Sequence, residues 1–217
     1  MTTTPRRGAD RAALRDHHHQ EPAPERRAAV LSPQQIGQLL DIADPRDAAL
    51  VAVLAAGACR IGEALLLCWR DIDEHGRVTV PGQITKNGRA RAFTLPPKAL
   101  QHVDAWRQGC PENQRGWIFP GNPARQPLST RAGQLAITRL AQRVGLQGVS
   151  SHSFRRSALT TAHQAGLPLR ALAELSGHQS LASLQRYLDA DAARAQAEGA
   201  RGLLFEAGPQ PHRKNRP

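Results

Sequence analysis

The chain has 217 residues, a mass of 23.5 kDa and 40% apolar residues, enough for one domain with its own core and polar tails. Its formal net charge of +11 and pI near 11.2 point to a polyanionic partner, because neutralising phosphates releases condensed counterions. No apolar run approaches the ~20 residues of a membrane span, the start MTTTPRRGAD lacks a signal-peptide core, and Cys59, Cys68 and Cys110 form no C-x-x-C; the reading is a cytoplasmic, soluble protein with buried thiols.

Only Lys86, Lys98 and Lys214 are lysines, so the positive charge is nearly all arginine, a bias that GC-rich coding also produces. Residues 1–30 read as a flexible basic arm, with His17-His18-His19 as incidental tail histidines. Helix starts at Ser32-Pro33-Gln34-Gln35, where Ser32 suits an N-cap, Pro33 the first helical position and Gln35 the capping-box position. Ile36, Leu39 and Leu40 give that helix one apolar face. Asp44-Pro45 opens a second helix, DAALVAVLAAG, apolar on all sides and therefore buried, with Gly57 to end it. Arg60 and Glu63 follow directly in CRIGEALLLCWRDID. Taken alone, Arg60 is a surface arginine beside an amphipathic turn.

From Arg77 to Leu95 the pattern changes to strand. VTVPGQIT and RARAFTLP flank Lys86-Asn87-Gly88, and Asn-Gly is a hairpin signal that puts Lys86 at the tip. Helix returns from Pro96 to Gly109, residues 110–128 read as loop, and Ser129 caps a helix that Gly145 stops. His152 and Arg155 stand three apart at the next helix start, hence on one face. Gly166-Leu167-Pro168 separates that helix from PLRALAEL. Ser176-Gly177-His178 is a turn, Ser180 caps another helix, and that helix carries Tyr187, the single tyrosine of the chain. Residues 190–205 read as a last helix and residues 208–217 as a basic tail.

Each of these signals is weak alone: a His-x-x-Arg pair arises by chance, a hairpin-tip lysine is usually just solvated, and Glu63 pairs as readily with an exposed arginine as with a functional one. The ordered set Arg60, Lys86, His152, Arg155, His178, Tyr187 is far more specific. With its surroundings it resembles the catalytic domain of the tyrosine recombinases, the phage-integrase family, over residues 31–190. The family's G-x-R-x-x-E box looks like GACRIGEALLL, its hairpin lysine like Lys86, its H-x-x-R box like HSFRR and its L-G-H box like LSGH. Its tyrosine follows the Gly-His by about nine residues, as Tyr187 follows His178. The implied fold is α+β and mainly α-helical, a recombinase catalytic domain over residues 31–207 with a small three-stranded antiparallel sheet.

The resemblance also implies roles. Metal-free phosphodiester cleavage needs cations on the pentacoordinate transition state, and the forked, permanently charged guanidiniums of Arg60 and Arg155 supply them. Tyr187 attacks phosphorus to give a 3′-phosphotyrosyl link. A phenol of pKa ~10 needs a proton acceptor, which His152 provides. Lys86 protonates the leaving 5′-oxygen, His178 donates to a phosphate oxygen, and Glu63 orients its neighbours. Neither a cofactor nor a metal is expected. The partner is double-stranded DNA, not a membrane, and the origin a bacterium, phage or mobile element. The apolar Leu203-Leu204-Phe205 within residues 190–205 is a candidate for docking on a second copy in a homo-oligomer on DNA, or for folding back in cis.

In one respect the sequence departs from the family. A separate helical DNA-binding domain usually precedes the catalytic one, and residues 1–30 do not supply it, so the expectation is a catalytic-domain-only member, a chain that relies on a partner, or a remnant, with the Arg-rich arm and the basic tail as candidate phosphate contacts. Two rivals keep the residues but change the outcome: a type IB topoisomerase, and a DNA-binding accessory protein without catalysis. Retention of all six positions disfavours the latter.

Overall fold

The computed structural model describes residues 28–110, 116–182, 184–186 and 188. The sequence readings of the arm's residues 1–27, of Tyr187, of 190–205 and of the basic tail therefore lie outside the described residues.

Helix α1 (Pro33–Ile42) starts as its sequence dictates. Ser32 Oγ accepts from Gln35 N at 3.2 Å and Gln35 Oε1 accepts from Ser32 N at 2.9 Å, so two orphan donors are satisfied reciprocally. Asp44 Oδ1 caps α2 (Pro45–Gly57) by accepting from Asp47 N at 3.0 Å. The all-apolar sequence of α2 becomes the centre of the molecule, with α1, α4 (Pro97–Gly109) and α6 (Ser151–Gln164) packed around it. Leu50, Val51, Val53 and Leu54 are each at most 1% exposed. Every such side chain stabilises the fold by roughly 1.5–3 kcal/mol. Helices α3 (Ile61–Leu65) and α5 (Thr130–Arg143), the latter capped by Ser129 Oγ, pack on each other beside this core.

A second, smaller apolar cluster lies apart from the first. It joins Leu159 of α6, Leu172 and Ala173 of α7 (Leu169–Ser176), and the buried pair Leu184 and Leu188. At the other end of α6, the chain entering the domain is pinned down: Ala29 N donates to Gly148 O at 3.0 Å, Leu31 N donates to Ser157 Oγ at 2.6 Å, and Arg156 donates to Ala28 O. Among the described residues, no helix is long and apolar enough to cross a membrane.

The expected three-stranded sheet has two strands. β1 (Arg77–Val80) and β2 (Arg91–Thr94) pair antiparallel, from Arg77 opposite Thr94 to Val80 opposite Arg91. The third strand shrinks to one bridge, Ile72 to Val78. A 3-10 turn (Trp69–Asp71) ends just before Ile72, and Asp73 Oδ1 just after it accepts from His75 N and Arg77 N, each at 2.9 Å. One extended residue is all that remains between them.

The hairpin is also longer than Asn87-Gly88 suggests. Pro81 has no N–H to continue the ladder, and Gly82–Ile84 winds into 3-10 helix, so ten residues separate the strands. Thr85 Oγ1 braces this loop against Gly82 O and Arg89 O at 2.9 and 3.0 Å.

Gly57 does not end α2 through a left-handed conformation; Ala58 does, with φ 45°. Glycine is needed at 57 for packing, because a Cβ there would lie 2.4 Å from Phe93 Cζ and 2.8 Å from Cys59 Sγ. Gly57→Ala is therefore expected to lower stability by about 1–3 kcal/mol through overpacking. Urea unfolding measures it, and a loss within experimental error would show that Phe93 swings aside freely.

Candidate active site

The site begins where α2 stops. The left-handed turn at Ala58 reverses the chain, so that Arg60 becomes the residue before α3 and Glu63 falls in that helix's first turn. Glu63 is 3% exposed, and a lone carboxylate so buried costs several kcal/mol. Two guanidiniums neutralise it. Arg60 Nη1 donates to Oε1 at 2.9 Å, Arg91 Nη2 donates to Oε2 at 2.8 Å, and the Arg60 backbone N–H adds a bond to Oε2 at 3.2 Å. Burial alone would push the Glu63 carboxyl up; the hydrogen bonds from Arg91 and Arg60 outweigh it and hold the group below the ordinary range.

Arg91 joins more than two residues. Its Nη1 donates to Gly57 O at 2.9 Å and to Leu175 O at 3.1 Å, and Nη2 lies 3.3 Å from Cys59 Sγ. One side chain on β2 thus ties together the end of α2, the head of α3 and the end of α7. The signal for it in the sequence is register: Arg91, Phe93 and Leu95 alternate onto one face of the strand, and Phe93 and Leu95 are buried.

Arg155 comes from the first turns of α6 and is 2% exposed. Its Nη1 donates to Ala58 O at 2.8 Å, while Nη2 lies 3.4 Å from His178 Nε2. Burial, and then the charge of Arg60, bring its pKa down to about 10, leaving it charged at neutral pH. His178 follows the left-handed Gly177 that ends α7, and its own N–H returns to Ala173 O at 3.1 Å. Its pKa falls to about 4 through burial and the charges of Arg155 and Arg60, so the ring is neutral near pH 7. His152 reaches solvent from the N-terminal turn of α6. Partial desolvation and the guanidiniums of Arg155, Arg156 and Arg60 hold its imidazole below the usual value as well.

Lys86 is exposed on the turn of the inter-strand loop. The next residue anchors that turn, because Asn87 Nδ2 donates to Gly177 O at 3.3 Å. The lysine loop is therefore fastened to the backbone just before His178. The structure joins Arg60 and Glu63 through one set of bonds and Arg155 and His178 through another, brings the two sets and His152 within each other's electrostatic field, and tethers the Lys86 turn beside them. Tyr187 lies outside the described residues. Sequence reasoning missed Arg91, Asn87 and the hydroxyl of Ser176, which sits 2.6 Å from His178 Nδ1.

An anion fits this arrangement. Two guanidiniums, Arg60 at 38% side-chain exposure and the buried Arg155, act electrostatically on each other and on two imidazoles, and the Glu63 carboxylate beside them is already shared by Arg60 and Arg91. A cleft of about 300 Å³ beside His178 adds Arg89 and Arg170.

Residues 29–194 match the family described as the phage integrase family. The tyrosine recombinase XerC of Xanthomonas campestris pv. campestris (strain B100) is 31% identical over 176 residues, covering 78% of this chain and 53% of that protein. XerC of Bradyrhizobium diazoefficiens is 36% identical over 152 residues, covering 69% and 47% respectively. The crystal structure of XerA recombinase superposes with a TM-score of 0.66 at 23% identity, over 83% of this chain and 66% of that one. The chain thus spans about half the length of these XerC proteins.

Arg91→Met is expected to destabilise the fold by about 1–3 kcal/mol, because it leaves the buried Glu63 charge with Arg60 alone, and Glu63→Gln in the same chain should restore part of that loss. In the wild type the depressed Glu63 pKa contributes stability that is present above the unfolded value of about 4.3 and lost below it. In the variant the acid loses the hydrogen bond and charge of Arg91 that lower it, so burial pushes its pKa upward. The stability gap between the two should therefore narrow as pH falls towards that value. Denaturant titrations at several pH values measure it; a gap independent of pH would dismiss the carboxylate as its source.

Proposed function

This chain belongs to the phage integrase family, and from that premise we propose that it cleaves and rejoins double-stranded DNA through a covalent 3′-phosphotyrosyl intermediate on Tyr187. The observation that carries the reading is the Glu63-centred network, which presents Arg60 beside Arg155 with both imidazoles close by. A net charge of +11 supports a DNA partner.

Arg60 and Arg155 bind the nonbridging oxygens of the scissile phosphate and stabilise the charge that grows at the pentacoordinate phosphorus. Preorganised donors of this kind are typically worth about 3–4 kcal/mol each. The Tyr187 oxygen attacks phosphorus, its proton passes to His152, and the P–O5′ bond breaks. The depressed pKa of His152 keeps it neutral and able to accept at neutral pH. Lys86 delivers a proton to the departing 5′-oxygen, and its loop, tethered through Asn87 to Gly177, keeps the ammonium near the phosphate. His178 hydrogen-bonds a phosphate oxygen. The phosphotyrosyl ester conserves the bond energy, so the reverse attack by a 5′-hydroxyl rejoins DNA without ATP. With guanidiniums in the role of the charge-stabilising cation, the reaction calls for no metal. Recombination between two sites, and the assembly of copies on DNA that it requires, extend this reading to the whole reaction.

Nicked suicide duplexes test the proposal. Wild type is expected to accumulate DNA linked through a 3′-phosphate, and Tyr187→Phe to accumulate none. Arg155→Met should slow adduct formation by roughly 100-fold or more. A wild-type protein that binds duplex DNA yet yields no adduct on any nicked substrate would refute it.

A further inference from the structure

Ser176 is the last residue of α7 and is fully buried. Its Oγ lies 2.7 Å from Leu172 O, the back-bond that a helical serine makes to the preceding turn, with Ala173 O at 3.4 Å. A hydroxyl has one hydrogen to give, and both of these oxygens can only accept. Towards His178 Nδ1, 2.6 Å away, the same Oγ therefore offers a lone pair, and the hydrogen in that contact must come from the ring. The opposite ring nitrogen gives an independent answer. His178 Nε2 lies 3.4 Å from Arg155 Nη2, which carries hydrogens and no acceptor, and Arg155 is fixed by its bond to Ala58 O. Nε2 must present a lone pair. Both ends of the ring specify the same tautomer.

We infer that Ser176 is a positioning residue that holds His178 as the Nδ1–H tautomer, so that His178 donates to a phosphate oxygen only after Nε2 takes up a proton as DNA binds. The charges around the ring oppose that proton in the free protein. Arg155 and His152 face it from α6, Arg60 from the head of α3, and Arg89 from the inter-strand loop, while α7 contributes Arg170 and Glu174 to the adjoining cleft. The acids beside them are Glu174 and Glu63, the latter already shared by Arg60 and Arg91. A phosphodiester bound beside the ring adds a negative charge among these cations and reverses the balance. The proton comes from solvent, rests on Nε2 while the phosphate is bound, and returns to solvent on release. Since the complex then holds more protons than the free protein, DNA affinity must rise as pH falls.

The tautomer stands on the free protein alone, whereas its role at the phosphate rests on the strand-transfer reading. A long-range proton–nitrogen spectrum of histidine-labelled free protein at neutral pH, with His178 assigned by His178→Gln, is expected to show a protonated Nδ1 and an unprotonated Nε2. Ser176→Ala should move population to the Nε2–H form, and Ser176→Thr, which keeps the hydroxyl, should not. Binding of random-sequence duplex DNA by Tyr187→Phe at low salt should tighten by up to about tenfold per pH unit on acidification, the limit for one proton. Adding Ser176→Ala should flatten that slope and adding Ser176→Thr should leave it. An Nε2–H signal in the free wild type would overturn the positioning role, and a slope unchanged by His178→Gln would overturn the proton uptake. A preserved tautomer and slope without any phosphotyrosyl adduct would instead overturn the strand-transfer reading and leave the inference intact.

Discussion

The site depends on one buried carboxylate being shared by two arginines. Glu63 cannot stay ionised in the core without a partner, and neither partner is placed by α3 itself. Arg60 precedes the helix; Arg91 arrives from a strand that closes over it. Because Arg91 also grips the carbonyls of Gly57 and Leu175, satisfying Glu63 fixes the relative position of α2, α3 and α7 at once. The usual balance for a buried ion pair, in which desolvation consumes most of the Coulombic gain, means that this network adds little net stability. What it provides is placement of Arg60.

The network also explains how like charges can be held together. Arg60 and Arg155 repel each other, and that repulsion helps bring the pKa of Arg155 down to about 10. A fold tolerates this only if something else binds each cation. Arg60 leans on Glu63, whereas Arg155 leans on Ala58 O, whose orientation comes from a left-handed turn at a residue that does not favour one. Backbone geometry thus substitutes for a second carboxylate, and the site keeps a positive surplus for a phosphate to neutralise.

Much of this was legible in the sequence because it is local. The Ser32 capping box, the Asp44-Pro45 start, the buried apolar helix and the three-residue spacing of His152 and Arg155 need no tertiary partner, and all appear in the fold. The order of the basic residues is likewise readable without a structure, through the motifs they share with the family. The parts that escaped depend on distant segments. Arg91 reads as an ordinary strand arginine until Glu63 is beneath it. Ser176 reads as a turn residue until His178 folds back over it, and Gly57 reads as a helix terminator until Phe93 occupies its missing side chain. The third strand implied by the resemblance is absent for the converse reason: an aspartate-bonded turn beside Ile72 leaves no length for pairing.

The contacts that assemble the site are also among the widest spans in the chain. Ala58 meets Arg155 across 97 residues, Asn87 meets Gly177 across 90, and Arg91 meets Leu175 across 84. Such closures carry the largest loop entropy and follow local structure in time. During synthesis, α2, α3 and the two strands can be complete while Arg60 and Arg155 are still far apart, since α6 and α7 are made after them. A partly made or partly unfolded chain has the positive charge to adhere to a polyanion but not the geometry that sets these groups side by side. Late closure ties the assembly of this cationic site to completed folding, so that the order of events is itself a safeguard against a half-built site meeting a phosphate.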